Sequence, residues 1–502
     1  MSLVIENTKP GVTAILNAGQ VSRPLERQPT STFFAVGVSD WGPVKDPKVV
    51  TSWNEFVRLY GKLNSNSYLT AAANIFFNLF PGQTMYVSRV VGAAAAKATK
   101  NLMDRAGTPL ATLKVDALYP STKVDISVTV AAGTSTNTVK LTFTSVYLNI
   151  TEIYDDFKVD ADSISKVNTF SRLIRLTNLN SATVAPNNLP AVAAKSALTG
   201  GSDDFAGVNT ATYVGGLDAF RDENLGTGQV AIPGISGAHP ELITHAETFK
   251  RLAILDPAFA SDLDAVKTAA DAARSPYAAI YYPWVQMRDL EGTGVLKFYP
   301  PSAFAAGACA QVDRTIGTHK APANIRVPNA LDVERNADGS PLMTDSAREF
   351  LNRNQVNAIA PLPGEGIKIY GARVLYPRGE TRVRFVHEQR MLNLIYYVAK
   401  FGYQWAVFAV VDGQGRLFRD LRAAGITFLN NLWRSGGLYG AKPEQAFIVI
   451  CDESNNPPDE LEQGRVHVQF GVKISPTAEV IIINIDNVPL SQSLDILQGQ
   501  NV

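Results

Sequence analysis

Serine, histidine and acidic residues are the side chains here that could support hydrolysis, and two short stretches approach hydrolytic motifs. GISGA at 234–238 has the order Gly-x-Ser-Gly, whereas the nucleophile elbow of α/β hydrolases is Gly-x-Ser-x-Gly. HEQRM at 387–391 places Met391 where the zinc motif HExxH needs its second histidine. The five histidines are scattered. A Ser-His-Asp triad assembled from distant residues has no fixed spacing, so that alternative stays open.

Nucleotide and calcium sites are equally poorly supported by the local patterns. No GxxxxGK[ST] loop occurs, and GEGIKIYG at 364–371 has the wrong spacing for a dinucleotide loop and precedes a strand. The acidic stretch 452–465 lacks the alternating ligands and central glycine of a calcium loop, so we expect a solvated loop. We therefore predict no catalytic, cofactor-binding or metal-binding residue and no enzymatic activity.

Composition limits the remaining classes of function. The 502 residues are 46% hydrophobic, and 46 basic side chains balance 46 acidic ones, which disfavours direct nucleic-acid binding. Cys309 and Cys451 are too few for a disulfide framework, and we expect two buried thiols of a protein made in a reducing cytosol. The first residues lack the features of a secretion signal, and no apolar run predicts a membrane span.

Alternating strands and helices predict a mixed α/β fold whose core is discontinuous in sequence. Strand 32–38, helices 52–61 and 68–80 and strand 85–91 form the first part, and the pattern resumes near residue 216. Residues 93–215 are rich in Thr, Ser and Val, with period-two runs, and predict an inserted β-rich domain. The chain then divides into an N-terminal arm (1–30), core parts (31–92 and 216–365), a C-terminal α/β domain (366–486) and a tail (487–502).

Apolar strands are predicted close to both chain ends. Residues 466–474 alternate at period two, and the β-branched run 480–485 follows Pro476. A shorter strand is expected at 12–16, before a polar segment with two prolines. The two C-terminal strands could pair as an ordinary hairpin, or they could pair with other copies of the chain. We also expect a buried strand at 405–411 and a long helix at 416–437.

A basic face is predicted on that long helix, because three arginines fall within two turns. It has two interpretations: a solvated surface, or a docking surface for an acidic partner. The three residues are Arg416, Arg419 and Arg422.

Several stretches together resemble the tail sheath proteins of contractile-tailed bacteriophages. They include TFFAVGVSDWGPVKDPKVVTSWNEFVRLYG, LTGGSDD with ATYVGGLDAF, PPSAFAAGACAQVDRTIGTHKAPAN, FLNNLWRSGGLYGAKPEQAFIVICDESNNPP and GRVHVQFGVKISPTAEVIIINI. The resemblance covers about 1–92 and 200–486 well and the inserted β region loosely. One chain carrying both ends of the pattern fits the phage-type sheath better than the two-chain bacterial secretion sheath.

This resemblance implies a structural subunit that stacks as hexameric rings around a tail tube and contracts to drive the tube through the host envelope. The implied partners are other copies, the tube protein, and baseplate and tail terminator proteins, with no nucleic acid and no membrane contacted directly. The implied location is the phage tail, assembled in the host cytoplasm. Strands at the chain ends would be exchanged between copies, through Val12, Ile15, Val466, Val468, Phe470, Val472, Val480, Ile481, Ile482, Ile483 and Ile485. Arg416, Arg419 and Arg422 would face the tube.

Two other classes remain open on the sequence alone. An α/β hydrolase with an inserted β domain explains the alternating strands and helices but leaves the two apolar chain ends unexplained. A phage adhesin or capsid-type protein would differ in the geometry of its assembly, with trimers or shells rather than helical tubes.

Overall fold

The computed structural model describes residue 25 and residues 29–377, 379 and 382–483. Its first α/β segment begins at a strand of five fully buried residues. Ser52 caps the first helix by accepting from the Glu55 N–H at 3.2 Å, as the sequence pattern predicts. The second helix ends in a π-helical turn at Ile75–Leu79. The elements are β1 (Phe33–Gly37), β2 (Lys48–Val50), α1 (Trp53–Tyr60), α2 (Leu69–Asn74) and β3 (Met85–Arg89).

Eight elements between residues 99 and 197 form two antiparallel sheets around a hydrophobic cluster of their own. The sheet orders are β4-β5-β9 and β10-β6-β7-β8. Buried Arg89 donates hydrogen bonds to the carbonyls of Ser39 (2.8 Å) and Pro120 (2.9 Å), which ties this region to the first segment. The elements are β4 (Thr99–Met103), β5 (Ala111–Ala117), β6 (Ser127–Ala132), β7 (Val139–Ser145), β8 (Ile150–Phe157), α3 (Ala161–Phe170), β9 (Ile174–Asn178) and β10 (Ala193–Ala197).

Fourteen elements follow, most of them strands of the central sheet and the helices around it. They are α4 (Thr210–Gly216), β11 (Gln229–Ala231), α5 (His239–Thr248), β12 (Leu252–Leu255), α6 (Leu263–Ala272), β13 (Ala278–Tyr282), β14 (Val285–Arg288), β15 (Leu296–Tyr299), α7 (Pro301–Thr315), β16 (Ile325–Arg326), β17 (Ala330–Val333), α8 (Asp345–Arg353), β18 (Asn357–Leu362) and β19 (Gly366–Ile369). The central sheet has nine strands in the order β16-β19-β18-β13-β12-β11-β1-β3-β2. Its middle, from β18 to β3, is parallel. Strands buried on both faces, such as Ala278–Tyr282, are typical of such a sheet. The mixed α/β fold predicted from the sequence is thus confirmed, whereas the domain boundaries stay predictions.

The C-terminal region contains two long helices and a small sheet. Its elements are α9 (Val386–Gly402), α10 (Arg416–Arg434), α11 (Pro443–Ala446), β20 (Phe447–Ile450), α12 (Pro458–Glu462) and β21 (Gln469–Val472). No helix in the described part of the chain is long and apolar enough to cross a bilayer.

A buried ion pair joins this region to the central unit. Arg390 in α9 pairs with Asp313 at the end of α7, and their side chains are 2% and 8% exposed. Arg390 also donates to the Thr30 carbonyl (3.2 Å), while the Thr30 hydroxyl donates to Asp313 (2.7 Å). The start of the described chain, the core and α9 therefore meet at one buried polar point.

A third buried cation, after Arg89 and Arg390, packs against a side chain of β1. Arg251 stacks over the Phe34 ring, 3.9 Å from its centroid, and donates to the Phe220 carbonyl (2.6 Å) and to Nε2 of His245 (2.9 Å). Burial, followed by the charge of Arg251, lowers the pKa of His245 to about 3. His245 therefore stays neutral and accepts this hydrogen bond in the folded protein.

Candidate assembly surface

Helix α10 forms the base of the C-terminal sheet. Its apolar side faces β20 and β21. At Gly425 a larger side chain has no room, because a Cβ there would lie 2.8 Å from the Phe470 ring and from the Tyr403 hydroxyl. The buried residues of the helix are Leu417, Phe418, Leu421, Ala424, Gly425, Phe428, Leu429 and Leu432.

The C-terminal sheet has only two strands in the described part of the chain. β20 and β21 pair antiparallel from Phe447↔Val472 to Ile450↔Gln469, and a single bridge, Leu438↔Ile474, extends the second strand. A two-stranded ribbon is marginally stable unless something packs against it or adds strands to it. One face here rests on α10, and Ile448 is 55% exposed. Apart from that bridge, no other described segment forms a strand beside β20 or β21, so the outer edges of this sheet are open.

The hairpin, one of the two alternatives that the sequence leaves open, is not seen among the described residues: β21 pairs with β20, and no pairing joins it to residues 480–483. Residues 480–483 are in no strand, so the predicted second strand is also absent as far as the described residues reach. Val480, Ile481, Ile482 and Ile483 are 74%, 80%, 82% and 76% exposed. The described part of the subunit leaves these four apolar side chains largely uncovered.

The other residues predicted to take part in strand exchange divide into two groups. Half-buried side chains pack on the C-terminal hydrophobic clusters: Val466, Val468, Phe470 and Val472. The remaining positions lie outside the described residues: Val12, Ile15 and Ile485.

An exposed apolar loop adjoins the C-terminal sheet where the sequence predicts a buried strand at 405–411. The prediction is wrong: a short 3₁₀ turn at Gln404–Ala406 leads into a loop. Phe408 has φ +63° and its side chain is fully exposed, and Val410 is 82% exposed. The pattern misleads because periodicity cannot distinguish a short apolar run that is buried from one that is exposed.

A groove runs between this loop, α9, the start of α10 and the segment that leads into β21. It encloses about 940 Å³ and is lined mainly by apolar and aromatic side chains, among them Tyr396, Tyr403, Leu421, Val466 and Phe470. Together with the open sheet and the run 480–483, this groove makes the C-terminal region the most apolar exposed part of the described chain.

The three arginines at the start of α10 are all exposed to solvent. Arg416 pairs with Asp412 (3.4 Å), and its side chain is 67% exposed. Arg422 lies close enough to Asp452 for its charge to help lower the pKa of that carboxyl, whose main stabilisation comes from Ser454. The predicted basic face therefore exists, although nearby carboxylates partly neutralise it.

The two cysteines are free, buried and in different hydrophobic clusters. Burial raises the pKa of both thiols to about 11. Both stay protonated at neutral pH and react slowly with oxidants or labels.

Serine, histidine and aspartate do meet at the carboxyl end of β12, where α/β enzymes often bind substrates. The Ser302 hydroxyl donates directly to Asp256 (2.6 Å), and His239 Nε2 contacts the Asp256 backbone carbonyl (2.9 Å). In a catalytic triad the histidine lies between the serine and the carboxylate. All three side chains are buried here, and burial raises the pKa of Asp256 to about 6. This arrangement supplies neither an exposed nucleophile nor a base in contact with it.

Fold and surface together define a mixed α/β protein with a nine-stranded central sheet and an open-edged C-terminal sheet. Residues 206–374 match the family described as the phage tail sheath protein central domain. The resemblance to tail sheath proteins drawn from the sequence is thus confirmed by a match over this region. The described residues contain no group of three or more His, Cys, Asp or Glu that could hold a metal ion.

Two curated relatives are tail sheath proteins. A prophage major tail sheath protein of Pseudomonas aeruginosa (strain UCBPP-PA14) is 25% identical over 234 residues, 47% of this chain and 57% of the relative. The tail sheath protein of Vibrio phage KVP40 is 22% identical over 188 residues, 38% of this chain and 26% of the relative. The matched segments thus span less than two thirds of either relative.

Solved sheath structures share the fold over most of the chain. The contracted sheath of an extracellular contractile injection system, PVC, superposes with a TM-score of 0.58 at 17% identity, covering 97% of this chain and all of that one. A sheath tail protein of Listeria innocua gives 0.62 at 14% identity, covering 86% and 90%. The common fold therefore extends well beyond residues 206–374.

Proposed function

We propose that this chain is the structural subunit of a contractile tail sheath. Copies assemble as stacked hexameric rings around an inner tube, and contraction drives the tube through the host envelope. The sheath-family match at 206–374 and the shared fold with contracted sheaths support this function. The observation that carries it is the exposed run 480–483 beside a two-stranded sheet with open edges.

Strand exchange between copies explains that combination. A run with side chains 74–82% exposed is costly in a monomer but suited to adding a strand to a neighbour. Each backbone hydrogen bond so formed contributes about 1 kcal/mol net, and the added strand covers an exposed sheet edge. The acceptor is the β20–β21 sheet of the neighbouring copy. The proposed exchange residues are Val12, Ile15, Val466, Val468, Phe470, Val472, Val480, Ile481, Ile482, Ile483 and Ile485.

Contraction needs no nucleotide in this account. The free energy comes from interfaces that improve when the rings rotate and compact, a switch between two packings of the same chain. Exchanged strands keep neighbours connected while the rigid cores reorient. The β-rich region 93–215 would then lie on the outer surface of the sheath, as an addition that the contracting core does not require.

The tube protein, the baseplate and a tail terminator are the proposed partners in a phage tail. The exposed face of Arg416, Arg419 and Arg422 is the proposed tube contact, and it would suit a tube whose outer surface is acidic. No nucleic acid or membrane is contacted directly in this proposal.

Electron microscopy of the purified chain tests the proposal. The protein would be imaged in negative stain alone and after mixing with a purified tube protein, since a sheath can need its tube as a template. Striated tubes of regular diameter are expected in at least one sample. Closed shells, isolated trimers or monomers in both samples would contradict a sheath function.

A further inference from the structure

The segment that follows β21 is attached to the rest of the subunit at its beginning. The Ser475 N–H donates to the Gly437 carbonyl (3.1 Å), and its hydroxyl donates to the Gly436 carbonyl (2.7 Å). The Ser475 carbonyl in turn contacts Nε2 of the buried His387 in α9 (3.2 Å). The polar stretch 475–478, which resembles a free linker in sequence, therefore starts from a fixed point.

An ion pair attaches the same stretch at its other end. Arg373 Nε donates to Glu479 Oε1 (2.8 Å), and its Nη2 donates to the second carboxylate oxygen. Such two-point arginine–carboxylate pairs fix both orientation and distance. The two side chains are only 17% and 26% exposed, so water screens this pair less than an ordinary surface pair.

Arg373 is itself fixed to the central sheet. Its N–H donates to Asn357 Oδ1 (2.6 Å), and its carbonyl accepts from Asn357 Nδ2 (2.8 Å). Asn357 is 1% exposed, begins β18, and also donates to the Ile280 carbonyl in β13 (3.1 Å). A continuous set of hydrogen bonds thus leads from the central sheet to Glu479.

The next residue is the first of the four exposed apolar side chains. We propose that Arg373 and Glu479 form a clamp that fixes the root of the C-terminal segment, so that residues 480–483, and not those from Pro476 onward, are the first of this segment to move freely. The clamp sets the place and direction from which the apolar run leaves the subunit. Its purpose rests on the proposed strand exchange, whereas the clamp itself is a property of the single subunit.

Spin labelling of the full-length chain locates the start of the arm. Ala478→Cys and Ile482→Cys each introduce one exposed thiol, while the native thiols are buried with pKa values raised to about 11 and label slowly. In the non-assembled protein we expect a slow electron paramagnetic resonance spectrum for the label at 478 and a fast one at 482. Equal mobility at the two positions would overturn the clamp.

Charge variants separate the ion pair from other causes of order. Glu479→Gln should shift the label at 478 to the fast component, whereas the control Glu453→Gln, an exposed carboxylate of another loop, should not. The exchange Arg373→Glu/Glu479→Arg should restore the slow spectrum. An unchanged spectrum in Glu479→Gln, or no restoration in the exchange, would overturn the proposal. Because these spectra need no assembly, failure of the clamp and failure of the sheath function are scored separately.

Discussion

The proposed donation of residues 480–485 as a strand would bury one of its two faces, which predicts different effects for alternate residues. In a strand, Ile481 and Ile483 point to one side and Val480 and Ile482 to the other. Fully burying one such side chain is worth about 1.5–3 kcal/mol. Since 74–82% of each is exposed in the subunit, docking one pair gains most of that amount.

Replacing the two side chains that face the acceptor sheet with lysine should therefore cost roughly 2.5–5 kcal/mol for each donated strand. This corresponds to a loss of about 10²- to 10⁴-fold in the association constant. The variants are Ile481→Lys/Ile483→Lys and Val480→Lys/Ile482→Lys, each the matched control of the other. One double variant should lose assembly in sedimentation velocity, and the other should keep most of it. Thermal unfolding of the monomer should be unchanged in both, because these side chains are already in water.

Equal effects of the two double variants on assembly would refute a strand with one buried face. A clear fall in the melting temperature of the monomer would contradict the observed exposure, because it would mean that the run packs on its own subunit.

Three further predictions concern the buried ion pair, a buried histidine and the basic face. Arg390→Met leaves the Asp313 carboxylate buried without its cation, so the free energy of unfolding should fall by about 3–5 kcal/mol. The double variant Arg390→Met/Asp313→Leu should recover most of this loss in denaturant titrations. The folded state keeps His245 neutral down to a pKa of about 3, whereas the unfolded chain protonates near 6.5. Below pH 6.5 the unfolded state therefore binds one more proton than the folded state. Because of this residue, the free energy of unfolding falls as the pH drops from 6.5 toward 3, by up to about 1.4 kcal/mol per pH unit. His245→Gln should remove that contribution from the measured pH dependence of stability. Charge reversal of the basic face should weaken co-sedimentation with tube protein and leave self-association intact: Arg416→Glu, Arg419→Glu and Arg422→Glu.

Each of these has a contradicting result. A double variant no more stable than Arg390→Met would mean that lost packing, not the unpaired charge, sets the cost. If the stability of His245→Gln depended on pH as that of the unchanged protein does, other groups would have to cause the loss of stability below pH 6.5. Unimpaired tube binding after reversal of all three arginines would remove this face as the tube contact.

Much of the architecture can be predicted from the sequence because local signals and burial agree there. Ser52 and Glu55 predict the start of α1, and the fully apolar run 277–285 contains the buried strand Ala278–Tyr282. The mixed α/β class follows from the regular alternation of such strands with helices. At these positions the local preference and the packed core favour the same structure.

The C-terminal surface could be predicted only in part, since its structure depends on long-range pairing. The strand around 466–474 exists, but its partner is Phe447–Ile450 and not the following apolar run, and no period-two pattern encodes that choice. The run 405–411 has the composition of a buried strand and is an exposed loop instead. The Arg373–Glu479 pair joins residues 106 positions apart, which no spacing rule could indicate.

The most direct test of the central claim compares the full chain with a copy truncated after Ser475, by negative-stain electron microscopy in the presence of tube protein. The truncation keeps β21 and its pairing with β20, but it removes the exposed run and the clamp residue Glu479. Striated tubes are expected from the full chain and none from the truncated one, which should remain a folded monomer by thermal unfolding. Tubes of equal yield from both chains would contradict a sheath held together by its C-terminal strand.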